Sequence, residues 1–582
     1  METKGAFYYV AEPFPFSQSP GMQSDRLFSI ALVAWTLCGG SLASGQNLAW
    51  GHQGAVTSAE RHATQAGIGI LKSGGNAVDA AVAVGFALAV THPAAGNIGG
   101  GGFMLIRMAD GHAYFLDFRE EAPGKAGPKM YLDKNGNYIL NSSIVGFRAI
   151  GIPGSVAGLT MARRRLGKLS LAADMAPAIR LAAGGYRLSY TQAQDLHSPY
   201  LGRFNGSRRT FQRNGKFYLD GEVFRQPHLA ATLRAIAAGG ARVFYHGAMA
   251  RELASYLQRH GGLITAADLA RYRARWRTPL YGHYRGYTIL TSPPPSSGGV
   301  CILEMLHMLE PTRFWRYGFQ SALSLHYQIE AMRRAFADRA VYLGDPDFER
   351  LPVRQLLRRS WARQRWASFR PNLASRSAEV GAGPLPGFES TQTTSYSVVD
   401  QAGNAVAVTY TLNNWFGSGV TDPRLGFLLN DEMDDFTSKP GVPNMFGLIQ
   451  GRVNQIEPYK RPLSSMVPTI VTQHHRLYMV LGSPGGPRII TTVYEIISNR
   501  IDFHLPLRNA VAAARFHQQW MPDVVDLEQY GFSSDTRRRL QAMGYVLKLQ
   551  PDWCDGEAIG VGRSGTLAAV SDNRRTGSAG AY

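Results

Sequence analysis

The apolar positions of the segment 58–90 (SAERHATQAGIGILKSGGNAVDAAVAVGFALAV) fall at helical spacing on both sides of Gly74-Gly75-Asn76. This pattern predicts two helices separated by a turn. Residues Gly96–Gly102 (GNIGGGG) then lead into an apolar stretch, Phe103–Arg107, that reads as a strand. A glycine-rich turn ahead of a strand, with no Gly-Lys-Ser/Thr after it, is the wrong order for a phosphate-cradling loop. Helical spacing dominates from Ser155 to about Leu263, and Ser324–Tyr342 reads as a single amphipathic helix. The segment 371–390 (PNLASRSAEVGAGPLPGFES) breaks the pattern, being rich in Gly, Pro, Ser and Ala without any period. It predicts an exposed, flexible loop. Directly after it, Ser395–Val399 and Ala405–Leu412 flank Gln401–Asn404 (QAGN), the signature of a β-hairpin.

Composition narrows the class. The chain has 582 residues, 45% hydrophobic and 18% charged, so it can bury a large core and is not a disordered chain. Its 64 Gly lack the G-X-Y period of collagen. The net charge of +19 comes from 51 Arg and 10 Lys spread over the length. The clusters Arg163–Arg165, Arg358–Arg359 and Arg537–Arg539 have no aromatic-interleaved stripe beside them, so they read as solvated helix faces and no nucleic acid partner is expected. Three cysteines, Cys38, Cys301 and Cys554, exclude a disulfide scaffold. The apolar run Leu27–Gly40 has about 14 residues against the roughly 20 that cross a bilayer, and it follows Arg26 and precedes Ser41-Leu42-Ala43. It reads as a signal h-region, the alternative being a buried core helix. Translation from Met22 gives a shorter, more ordinary leader. Export to a periplasm or the exterior is the expectation, without stable membrane insertion after removal of the signal.

The chemistry is concentrated where the loop meets the hairpin, at Gln392-Thr393. A threonine hydroxyl is a poor nucleophile unless a base sits beside it. When threonine begins a chain, its own α-amino group, of pKa about 7.7–8.0, supplies that base near neutral pH. The peptide bond before Thr393 must then be cut, and an exposed loop upstream suits that cut.

Thr391–Asp400 (TQTTSYSVVD), Thr411–Asn413 (TLN), Met433–Phe436 (MDDF), Arg461–Met466 (RPLSSM) and Gly482–Gly486 (GSPGG) together resemble the γ-glutamyltranspeptidases. The phrases Lys72–Ala81 (KSGGNAVDAA), Asp117–Glu120 (DFRE), Gly151–Gly154 (GIPG) and Pro293–Gly299 (PPPSSGG) extend the resemblance from about Gly54 to Tyr582. The resemblance implies an α+β fold, the four-layer αββα sandwich of the N-terminal nucleophile hydrolases. It also implies self-cleavage between Gln392 and Thr393. The expected pieces are residues 1–43 as extension and signal peptide, 44–392 as large subunit and 393–582 as small catalytic subunit. The implied substrates are glutathione and other γ-glutamyl compounds, with amino acid or dipeptide acceptors and no cofactor. By the same resemblance Thr393 is the nucleophile, Thr411 its supporting hydroxyl, and Gly485 and Gly486 the oxyanion hole. Arg119 matches the anchor of the substrate α-carboxylate, which Ser464 and Ser465 share, while Asn413, Glu432 and Asp435 match the acceptors of the α-ammonium. Residues 440–447 (PGVPNMFG) resemble a lid, with Phe446 where many bacterial members carry tyrosine. Trp415 stands where lidless members place a comparable tyrosine, and Ser395 where several bacterial members carry histidine.

Two rivals remain at this stage. One is a cephalosporin or glutaryl acylase of the same fold, which Asp435 argues against because a glutaryl group has no ammonium. The other is a secreted basic protein that binds anionic polymers without activity. His326 and Glu330 stand four apart on a predicted helix, but with no HExxH and no third ligand a metal site is not expected. His474-His475 reads as a turn.

Overall fold

Every residue of the strands Thr394–Asp400 and Ala405–Thr411 is buried, because the sheet that holds them is covered on both faces. The computed structural model describes residues 47–381, 393–439, 442, 444, 445, 447, 448 and 450–582. The leader, Gln392, Phe446 and residues 382–390 of the predicted loop lie outside these described residues. Gly45–Tyr582 forms one compact unit.

Two seven-stranded sheets build that unit. The first runs Ser578–Ala581, Gly54–Ser58, Thr394–Asp400, Ala405–Thr411, Gly101–Arg107, Ala113–Phe118, Arg275–Arg277. The second runs Leu48–Gly51, Leu567–Ser571, Glu557–Val561, Arg476–Gly482, Thr469–Gln473, Tyr287–Thr291, Leu280–Tyr284. The predicted hairpin pairs Tyr396 with Val408 and Val398 with Val406, antiparallel. Alternation then sorts its side chains. Tyr396, Val398, Val406 and Val408 pack with the helix Ala77–Thr91 on one face. Val399, Ala405 and Ala407 meet the second sheet on the other. Small residues let the sheets approach: Ser397 donates across the gap to the Glu557 carbonyl at 3.0 Å. Beyond the second sheet lie the helices Gly298–Leu309, Ala322–Tyr342 and Arg488–Ile501. The order helix, sheet, sheet, helix is the αββα sandwich.

The helix pair of segment 58–90 forms as Arg61–Lys72 and Ala77–Thr91, with Gly74 at φ +90° in the turn. Asn76 and Asp79 make a capping box, and Asp400 of the hairpin accepts from the Ala77 N–H at 2.9 Å. A carboxylate is thereby set against a helix N-terminus, where the dipole favours it. His474 and His475 form the tight turn between Thr469–Gln473 and Arg476–Gly482, both at positive φ.

Two expectations need correction. The helix at Ser324–Tyr342 is not amphipathic. It spans Ala322–Tyr342 and is buried almost throughout, because its polar residues are neutralised inside the protein. Arg334 pairs with Glu330 at 2.6 Å and Arg339 donates to Ser297 at 2.8 Å. His326 and Glu330 both bond the Tyr545 hydroxyl in that core network. The described part of the segment 371–390 is also not a free loop: Ser377 is buried, takes the Trp520 indole N–H on its carbonyl and donates its N–H to Asp523. Cys301 and Cys554 are both free thiols and both buried. Among the described residues no helix is long and apolar enough to cross a membrane.

Candidate active site

The hairpin fixes the first two site residues. Thr393 directly precedes one strand and Thr411 ends its neighbour, so both stand at the same end of the first sheet. The Thr393 hydroxyl donates to Thr411 Oγ1 at 3.4 Å, and that oxygen also accepts the Asn413 N–H at 2.8 Å. The second bond folds the chain sharply, with Asn413 at φ +78°. Its side-chain amide then donates to the Asp431 carbonyl at 3.1 Å and lies 3.5 Å from Met445 Sδ, a described residue of the predicted lid.

Arg119 follows the strand Ala113–Phe118 and is fully buried. Its guanidinium makes ion pairs with Glu432 and with Asp435, and Glu120 lies 3.5 Å away. Nε donates to the Pro462 carbonyl at 3.2 Å. Both acids sit on the single turn Glu432–Asp435, which aims them at one cation. Burial pushes the carboxyls of Glu432 and Asp435 upward and lifts Glu120 to about 7. Arg119 stays charged: burial opposes its charge, but Glu432, Asp435 and Glu120 outweigh it.

Ser464 is clamped by backbone bonds to Pro295 and Ser297 at 2.8 and 2.7 Å. The Ser465 hydroxyl accepts from Arg339 at 3.3 Å. Gly485 and Gly486 occupy the loop between the strand Arg476–Gly482 and the helix Arg488–Ile501, at φ +124° and +54°. Such a loop presents backbone N–H groups at the positive end of a helix. Glycine is required at 485 twice over, since a Cβ there would stand 2.0 Å from Cys554 Sγ.

Nine of the ten described residues expected from sequence therefore line one cavity: Thr393, Thr411, Asn413, Arg119, Glu432, Asp435, Ser464, Ser465 and Gly486. Its free space is about 10 Å³, room for no more than one water. The internal pairing of Arg119 with the two acids fills it. Gly485 lines a neighbouring cavity that also reaches Thr393. Sequence reading missed that second cavity, with Asp195, Trp553, Asp555 and Arg575 on its walls. It also missed Arg339, a second cation on Ser465 that belongs to the helix misread as amphipathic. No local spacing marks these residues. Among the described residues no cluster of His, Cys, Asp or Glu could hold a metal ion.

A threonine at the head of a strand, in stacked sheets between helical layers, defines the class of N-terminal nucleophile hydrolases. Within that class the chain belongs to the γ-glutamyltranspeptidase family, whose model matches residues 63–582. It is 47% identical over 525 residues to the glutathione hydrolase proenzyme of Escherichia coli (strain K12), covering 90% of each chain. To the glutathione hydrolase proenzyme of Pseudomonas sp. (strain A14) it is 47% identical over 530 residues, 89% of this chain and 91% of that one. Its fold is similar to the cephalosporin acylase from Bacillus halodurans, with a TM-score of 0.82 and 28% identity over 92% of this chain and 97% of the other.

Proposed function

We propose that the chain is the self-cleaving precursor of a γ-glutamyltransferase with glutathione hydrolase activity, exported to the periplasm or the exterior. The observation that carries this reading is the single cavity in which Thr393 and Thr411 face Arg119, Glu432 and Asp435. In the precursor the Thr393 nitrogen is an amide, bonded to Gln392. Attack of the Thr393 hydroxyl on the Gln392 carbonyl forms an ester as the Gln392–Thr393 C–N bond breaks, and the released Thr393 nitrogen takes the hydroxyl proton. Water then hydrolyses that ester, leaving a carboxylate on Gln392 and freeing the hydroxyl of Thr393 beside its amine. The products are a large subunit, residues 44–392, and a small subunit, residues 393–582.

In the mature enzyme the free amine takes the hydroxyl proton while Oγ attacks the γ-glutamyl carbonyl. Charge builds on the carbonyl oxygen, and the N–H groups of Gly485 and Gly486 receive it. One such donor stabilises the transition state by about 3–4 kcal/mol. Collapse expels the amine half of the substrate, which takes the proton, and leaves a γ-glutamyl ester on Thr393. Water then releases glutamate, or an amino acid or dipeptide amine carries the acyl group away. Arg119 with Ser464 and Ser465 binds the α-carboxylate, and Asn413, Glu432 and Asp435 bind the ammonium.

The second reading is an acylase that takes a glutaryl side chain, favoured by the 28% identical cephalosporin acylase. The higher identity to glutathione hydrolases and the two acids at Arg119 weigh against it. One experiment separates the readings: release of anilide from γ-glutamyl and from glutaryl anilides, with and without glycylglycine. Release from the γ-glutamyl compound alone, increased by glycylglycine, is expected; preference for the glutaryl compound would overturn the proposal. Cleavage is tested on a denaturing gel. The 63.7 kDa chain should give way to two bands, whereas Thr393→Ala should stay whole and inactive. Two bands from that variant would remove Thr393 from maturation.

A further inference from the structure

The cavity that holds the acyl group has a neighbour, and the two share Thr393 alone among their lining residues. This neighbour has about 40 Å³ of free space, against about 10 Å³ in the acyl cavity, and is partly open to solvent. The position is dictated by the geometry of acyl transfer. With the γ-carbonyl carbon at Thr393 Oγ, the acyl chain runs toward Arg119 and the carbonyl oxygen toward the Gly485 and Gly486 N–H groups. The remaining substituent, the nitrogen that leaves or attacks, faces the second cavity, which Thr393 and Gly485 line.

The walls of that cavity have a definite chemistry. The Arg575 guanidinium lies over the Trp415 ring, 4.6 Å from its centroid. Arg575 is exposed and, among the described residues, makes no ion pair. Stacking holds the planar fork in place and leaves its N–H groups free to meet a carboxylate. Trp553 is 4% exposed, and its indole N–H has no hydrogen-bond partner among the described residues. A buried donor without a partner is costly, and a ligand carbonyl would satisfy it. Asp195 and Asp555 stand on the same walls. Burial raises their carboxyls to about 7 and about 6, against the opposing pull of Arg575. A ligand with an amine and a carboxylate meets an opposite charge for each.

Resting on the γ-glutamyl reading above, we propose that this cavity is the leaving-group and acceptor subsite. In it Arg575, braced on Trp415, is the specificity-determining residue that holds the carboxylate of a dipeptide. That dipeptide is the departing half of a γ-glutamyl tripeptide in one direction and the incoming acceptor in the other.

The test is steady-state kinetics of the mature heterodimer and its Arg575→Gln variant, with two donors and two acceptors. Glutathione carries the leaving-group carboxylate; γ-glutamyl-p-nitroanilide does not. Glycylglycine and glycylglycinamide make the same contrast among acceptors. For the variant, KM for glutathione and the half-saturating glycylglycine concentration should each rise about tenfold, the size expected for one charge-assisted contact. The anilide and the amide acceptor should change by less than about twofold, and Arg575→Lys should recover part of each loss. Equal changes for charged and uncharged partners, or an unchanged KM for glutathione, would overturn the proposal. Failure of the unmutated enzyme to release p-nitroaniline would instead sink the γ-glutamyl reading on which it rests.

Discussion

Gly485→Ala is the sharpest probe of the proposed oxyanion loop, because two separate costs can be assigned to one methyl group. The backbone at 485 has φ +124°, a region where an L-residue is strained by about 1–3 kcal/mol. The new Cβ would also stand 2.0 Å from Cys554 Sγ, against an ordinary contact of roughly 3.5–4.0 Å. Cys554 cannot swing aside freely, since it is buried, sits at φ +59° and accepts from Arg515 on its carbonyl. The loop must therefore move by about 1 Å or more, and misplacement on that scale costs about 10²-fold in rate. Loss of one oxyanion donor costs about 10²–10³-fold in kcat. We expect kcat to fall by about 10²-fold with KM little changed, because Arg119, Ser464 and Ser465 are untouched. Cys554→Ala alone should be near the unmutated enzyme. Gly485→Ala with Cys554→Ala should recover part of the loss, since the clash is relieved and the dihedral strain is not. The assay is p-nitroaniline release from γ-glutamyl-p-nitroanilide by mature enzyme, with the subunit bands checked on a gel. A single variant within about threefold of the unmutated kcat would refute the oxyanion assignment. A double variant no faster than the single would refute the clash.

Arg119→Lys keeps the charge and loses the fork, so KM for γ-glutamyl substrates should rise about tenfold or more while subunit processing persists; an unchanged KM would remove Arg119 from the pocket. Stability should also depend on pH through Glu120, whose carboxyl burial raises from 4.5 to about 7. A raised folded pKa means its contribution is full below about 4.5 and is lost as pH rises through about 7. The melting temperature should thus fall between about pH 4.5 and 7, and Glu120→Gln should flatten that fall; an identical slope in the two proteins would show that Glu120 stays ionised.

The parts of the site that were legible in the sequence are those written in consecutive residues. The loop-to-hairpin junction marks Thr393, and the pairing of the two strands brings Thr411 beside it. Gly485 and Gly486 were reached through the resemblance of Gly482–Gly486, and the structure supplies a reason at 485, where φ is +124° and Cys554 approaches closely. Failures occurred where long-range packing overrides a local pattern. Arg333, Arg334 and Arg339 give the helix Ala322–Tyr342 an apparent solvent stripe, yet all three are buried. Ser377 belongs to a Gly/Ser/Ala-rich stretch but is tied to Trp520 and Asp523, more than a hundred residues later. Asp195 and Arg575 stand 380 residues apart in the sequence and meet only at the second cavity. No window of sequence contains both.

The pairing inside the proposed acyl cavity bears on which ligand the enzyme accepts. Arg119 faces three carboxyls, Glu120, Glu432 and Asp435, all in a region with almost no free space. A γ-glutamyl group brings one carboxylate and one ammonium. Its carboxylate can replace a protein acid on the guanidinium, and the displaced acid then receives the ammonium. The number of buried ion pairs does not fall, so the exchange avoids leaving a charge unpaired. A glutaryl group offers only the first half of this exchange. It would displace Glu432 or Asp435 and leave that acid buried without a counter-ion, a loss of about 3–5 kcal/mol when one partner of a buried pair is removed. The displaced acid could escape by taking a proton, which its raised pKa eases. Any glutaryl activity should therefore grow as pH falls, while γ-glutamyl preference should be strongest above neutrality. Measuring the ratio of kcat/KM for the γ-glutamyl and glutaryl anilides from pH 6 to 9 tests this directly. A ratio that stays flat, or falls with rising pH, would mean that the two acids do not select the ligand by charge.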